Sequence, residues 1–181
     1  IAVVATSFTK ISVVLLIVRN AIGIQQTPPN LLVFAIAIVL SAFVMDPILQ
    51  QTWRILLASR ADFGTVGGMT AGIAELSGPL KAFMLAYSDE EVRSFFVGAS
   101  RQVWQAPSTT PPNPDDITIL TPGFLVSELT RAFQIGFLIY LPFIAIDLIV
   151  SNILLAMGMM MVSPMTISLP FKLLLFVLAD G

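Results

Sequence analysis

The chain has 181 residues, 56% hydrophobic and 11% charged, with a mean hydropathy of +0.91; an ordinary soluble domain carries about 45–50% apolar and about 25% charged residues. Too little polar surface remains to cover a water-soluble globule, so a bilayer, or a large assembly within one, is the expected solvent. A net charge of −2 leaves no basic stripe to neutralise phosphates and excludes a nucleic-acid partner, and the absence of Cys and His removes thiolate nucleophiles, disulfides, zinc ligands and the commonest general base.

Residues 1–22 read as a helix with Lys10 inside an apolar run, Arg19 near its C-terminal end and Gly23 as a stop. No basic stretch or cleavage site precedes Ile1, and Gly181 follows a helical pattern directly, so both ends are expected to be trimmed. In Gln25-Gln26-Thr27-Pro28-Pro29-Asn30, Thr27 is expected to cap and Pro28 to occupy the first position of a second apolar helix, closing a hairpin. That helix is expected to kink or stop at Asp46-Pro47.

Residues 51–120 hold five basic and seven acidic residues, which predicts an extramembrane segment. Met69, Ile73, Leu76, Leu80, Phe83, Met84 and Tyr87 make one apolar stripe, interrupted by Gly78-Pro79. Ser88-Asp89-Glu90-Glu91 predicts a capping box before a helix with Val92, Phe95, Phe96, Ala99 and Val103 on one side. Residues 105–116 contain Pro107, Pro111, Pro112 and Pro114 and read as an exposed loop.

From about Pro122 a long apolar helix is expected to run past a kink at Pro142 to Met161, well beyond the ~20 residues that cross a bilayer. Val162-Ser163-Pro164 then turns the chain, with Ser163 as cap, into a last helix over 164–178. The fold class is all-α: integral-membrane helical hairpins with a helical extramembrane segment. We take 1–181 as one domain, divided into a first hairpin (1–50), the extramembrane segment (51–120) and a long helix with a second hairpin (121–181).

Ionisable residues inside apolar runs are the first candidates for function, because a charge at membrane depth costs about 2.5–3.5 kcal/mol on insertion scales. Glu128 and Arg131, three apart, could pair along one helix or reach a neighbouring subunit. Asp147 and Lys172 have no obvious local partner; they read as an intersubunit contact or a proton relay, against simple snorkelling to the interface. Lys10 poses the same problem. Met157-Gly158-Met159-Met160-Met161 holds four of the eight methionines at a hairpin tip. These thioethers could fill gaps in a core, or a ring of such tips could close an adaptable apolar constriction that resists ions by dewetting.

Six stretches, 124–137 (FLVSELTRAFQIGF), 141–147 (LPFIAID), 158–164 (GMMMVSP), 169–181 (LPFKLLLFVLADG), 6–11 (TSFTKI) and 19–30 (RNAIGIQQTPPN), carry a resemblance. Together they resemble the FliP/SctR (YscR/HrcR) family of export-apparatus subunits shared by flagella and type III secretion systems. It implies a structural, non-enzymatic subunit with no cofactor or metal, built with about five copies of itself into a helically staggered assembly. FliQ-like and FliR-like companions complete that assembly in the bacterial inner membrane, much of it facing the periplasm, and unfolded secreted proteins pass through it. It implies further that Met157, Met159, Met160 and Met161 form a pore seal and that Glu128 is an intersubunit charged contact. A naive charge count on Arg54 and Arg60 would place 51–120 inside, whereas the resemblance places it in the periplasm. Val162-Ser163-Pro164-Met165-Thr166 is closer to the virulence branch than to the flagellar one. The competing class is a stand-alone transporter or ion channel using Asp147 and Lys172, which would work as a small unit.

Overall fold

The structure, a computed structural model, describes residues 5–24, 28–58, 65–103 and 113–179. Thr27, Arg60, Asp62 and Pro107, Pro111 and Pro112 of the proline-rich loop lie outside the described residues. Among those described there are six α-helices and no strand: α1 (Phe8–Ile22), α2 (Asn30–Ala58), α3 (Val66–Tyr87), α4 (Glu90–Val103), α5 (Ile117–Ala156) and α6 (Pro164–Leu178). The all-α expectation holds. Two of them, α2 and α5, are long and apolar enough to cross a membrane.

The helix ends show which local signals win. α1 begins at Phe8, after a turn in which the Thr6 hydroxyl oxygen accepts the Phe8 N–H, rather than at the start of the chain. It stops at Gly23, where φ is +83°, as expected of a glycine closing a helix. α2 starts at Asn30 instead of Pro28: a residue before proline is pushed out of helical geometry, so Pro28 is excluded by Pro29, whose carbonyl accepts from Leu32 and Val33. α5 starts five residues ahead of Pro122, because Asn113 to Asp116 form their own turn. There Asp116 Oδ2 accepts from the Asn113 N–H and the Asp116 carbonyl accepts from Ile119 and Leu120.

The prolines do not stop the helices. α2 runs through Pro47 to Ala58, α3 through Pro79 and α5 through Pro142. Each proline removes one rung, but the remaining ladder has no better partner in an apolar setting. Gln50 donates to Asp46 Oδ2 across Pro47, and the Ser77 hydroxyl donates to the Ala74 carbonyl just ahead of Pro79. The Ser88 capping box is also not formed. α4 begins at Glu90, which makes Asp89 the residue before the helix, and the Asp89 N–H is donated to Ser127 Oγ on α5 at 3.0 Å.

The chain divides into two compact units, one of residues 1–10 and 38–130, the other of residues 11–37 and 131–181, with boundaries inside α1, α2 and α5. The first has its core in Met45, Phe83, Met84, Leu120 and Phe124, with Ala5 beside them. The Phe83 ring packs against Phe124 with centroids 5.6 Å apart. Only the C-terminal half of the α3 stripe reaches this core; Met69 and Ile73 are exposed, as are Phe95 and Val103 of α4. Ser127 locks α5 to the α3–α4 turn by donating to the Gly123 carbonyl while accepting from Asp89.

In the second unit α1 and α5 touch at Gly136. A Cβ added there would lie 2.4 Å from Ile17 Cδ1 and 3.2 Å from its Cβ and Cγ2. The branched Ile17 cannot swing all three atoms away, so the absence of a side chain at 136 sets how closely these helices approach. Gly136→Ala is therefore expected to destabilise the protein by about 1–3 kcal/mol through overpacking. Ile17→Ala in the same molecule should recover part of that loss, read as thermal unfolding in detergent.

Candidate functional site

The charges that look stranded in the sequence are brought together in the structure. Lys172 on α6 donates to Asp147 Oδ2 on α5 at 2.7 Å and to the Ala21 carbonyl at 3.0 Å. Ala21 lies in the last turn of α1, where carbonyls lack helical donors and the helix dipole favours a cation. The ammonium thus sits on the negative end of one helix and against a carboxylate of another. Asp147 Oδ1 accepts in turn from Ser168 Oγ at 2.6 Å, and Ser168 is one turn before Lys172 on α6. Lys172 is 3% exposed and Asp147 40% exposed.

Gly23 completes this junction. A Cβ there would lie 3.5 Å from Lys172 Nζ, and its φ of +83° is one that side-chain-bearing residues rarely adopt. The expectation that Asp147 and Lys172 lack local partners is corrected by α5 and α6 folding back on each other, which closes the 25 residues between them. Ser168, Ala21 and Gly23 were not singled out for this role. Only the four-residue spacing of Ser168 and Lys172 hinted at it.

A second pair lies in the other unit. Lys10 Nζ donates to Glu128 Oε1 at 3.1 Å and sits 2.9 Å from Oε2, with the Tyr87 ring centroid 5.5 Å away. Glu128 is 0% exposed. A carboxylate so buried is tolerated only with a charged partner, and the face of an aromatic ring adds attraction for the ammonium. The sequence separation of 118 residues hid this pairing. Arg131, one turn beyond Glu128, is half-buried.

The methionine tip is built differently. α5 ends at Ala156, five residues short of the expected Met161, because Gly158 takes φ +72° and closes the helix. The Met159 N–H reaches the Leu154 carbonyl at 2.9 Å and the Gly158 N–H reaches the Leu155 carbonyl at 3.0 Å, the paired bonds of a Schellman ending. Pro164 opens α6 at its first position with Ser163 before it, as expected, although the Ser163 side chain makes no capping bond. Between these ends Met157, Met159, Met160 and Met161 are all exposed, Met161 completely. Among the described residues no three His, Cys, Asp or Glu side chains are grouped to hold a metal ion.

Breaking one partner of a buried pair strands the other charge. Asp147→Ala and Lys10→Ala are each expected to destabilise the protein, by up to about 3–5 kcal/mol, because buried Lys172 and buried Glu128 each lose an ionic partner. The apolar double replacements, Asp147→Leu with Lys172→Met and Glu128→Leu with Lys10→Met, should cost distinctly less than these single losses. Double-mutant cycles on thermal stability in detergent would separate the two cases.

The whole chain, residues 1–181, matches the FliP family model. It is 51% identical to the Yop proteins translocation protein R of Yersinia pestis over 181 residues, covering 100% of this chain and 83% of the relative. It is 49% identical to the virulence protein YscR of Salmonella typhimurium, covering 100% of this chain and 84% of that protein. The harpin secretion protein HrcR of Erwinia amylovora is 45% identical, with 99% of this chain and 82% of the relative covered. With a full-length model match and relatives at this identity, the chain belongs to the FliP family.

Proposed function

We propose that this protein is a structural, channel-lining subunit of a type III secretion export gate in the bacterial inner membrane, through which unfolded proteins pass. The observation that carries the reading is the tip between α5 and α6: four methionines on a seven-residue turn, all presented outward, with a Schellman ending that fixes where the turn begins. A single chain gains nothing from holding four apolar side chains in the open. Several chains around an axis could bring them together as a plug that is apolar, flexible and free of charge, yielding to a passing polypeptide and closing behind it. Relatives named for protein translocation and harpin secretion support the export role.

The partners follow from what the chain leaves uncovered. Leu31, Val39, Phe43 and Leu57 on α2, and Phe137, Leu138 and Leu155 on α5, are exposed apolar side chains that need lipid, further copies of this subunit or companion membrane subunits. We place about five copies and the FliQ-like and FliR-like companions in that role. Glu128 and the Lys172 ammonium are engaged within the chain, so the exposed edge of Asp147 is the better candidate for a contact with a neighbour. No enzymatic step is assigned, and energy for transport comes from other components.

Replacing Met159, Met160 and Met161 by alanine is expected to make the resting complex leak small ions while it still assembles, since none of the three is packed in a core. Ion flux into vesicles holding the purified complex checks the leak, and co-purification of companion subunits checks assembly. A tight complex after this change would remove the seal from the proposal.

A further inference from the structure

The same turn has a chemistry that a leucine or isoleucine plug would lack. Thioethers are oxidised to sulfoxides at rates that follow exposure, and the sulfoxide is polar where the thioether is not. In the single chain Met157, Met159, Met160 and Met161 are 66%, 40%, 81% and 100% exposed, with Met69 and Met165 lone methionines at 48% and 47%, while Met45 and Met84 are 5% and 1%. No cysteine occurs among the 181 residues to be oxidised in their place. The turn itself tolerates the change, because its shape is held by backbone bonds at Gly158 and Met159 rather than by side-chain packing.

From these observations we infer that the Met157–Met161 turn is an oxidation site, and that sulfoxide formation there opens the gate's seal reversibly. The inference rests on the seal reading above. With hypochlorous acid as the two-electron oxidant, each thioether sulfur gains one oxygen and is oxidised. The chlorine is reduced from +1 to chloride, and HCl is released. A dry constriction lined by thioethers becomes one lined by S=O acceptors, which hold water and end the dewetting that blocks ions. Methionine sulfoxide reductases, one for each sulfoxide epimer, return the sulfur to its apolar state.

The test uses the purified export complex in vesicles, titrated with hypochlorous acid, with sulfoxides mapped by mass spectrometry and ion leak recorded on the same samples. The turn methionines should oxidise roughly tenfold faster than Met45 and Met84, and the leak should rise in step toward that of the alanine triple variant. Treatment with the two reductases should reverse it. A complex carrying Met157→Leu, Met159→Leu, Met160→Leu and Met161→Leu, compared with its own untreated leak, should show no rise. Sulfoxides confined to other positions would overturn the inference, and so would sulfoxides at the turn without added leak. In both cases a leaking alanine variant would leave the seal intact as a reading, whereas a tight alanine variant would remove the seal itself.

Discussion

A lysine ammonium, 97% removed from solvent, is the constraint around which one unit is arranged: Lys172 takes its two acceptors from two other helices. Desolvating an ammonium costs several kcal/mol, and that cost is offset only where acceptors are already in place. Here one acceptor is the carboxylate of Asp147 and the other is an end carbonyl of α1, which would otherwise lack a donor. Satisfying the lysine therefore fixes three helix positions at once: the end of α1, the middle of α5 and the face of α6. Gly23 is the backbone condition for this, since only a residue without a side chain takes its dihedral angles beside the ammonium with ease.

The same logic explains why the chain keeps charges in an otherwise apolar sequence. A hydrophobic pair at Lys10 and Glu128, or at Asp147 and Lys172, would pack at least as well energetically. What ions add is direction, because apolar helices slide and rotate against one another at little cost, whereas an ammonium between a carboxylate and a carbonyl accepts one register. Small residues provide the complementary restraint. Gly136 lets α5 approach Ile17, and Gly123 runs close to Arg93 and Ser88 at the α3–α4 turn. Charge sets the register of the helices and glycine sets their distance.

The methionine turn stands apart from both devices. Its backbone is defined by Gly158 and the Schellman bonds, yet the side chains it carries touch little of their own chain. A rigid turn bearing adaptable side chains suits a surface that must meet changing partners: the position is fixed by the fold and the shape is left to the thioethers. That separation also makes the turn chemically accessible, since side chains left largely exposed are open to small reagents.

The amino-acid sequence by itself determined the all-helical membrane class, the family, the hairpin turn at Ser163-Pro164, the glycine stop at position 23 and the identity of the awkward charges. All of these depend on composition or on interactions within a few residues. It misjudged helix ends where two local signals compete, as at Pro28-Pro29 and Ser88-Asp89, and at Pro47 it left a kink and a stop both open, of which the continuing helix removes the stop. Only the tertiary structure decided that Lys10 meets Glu128 across 118 residues and that Lys172 meets Asp147 and Ala21. It also decided that α1, α2 and α5 each contribute to two compact units. Hydropathy records how apolar a segment is and not which neighbour it touches, so pairings between distant charges become visible only when the helices are packed.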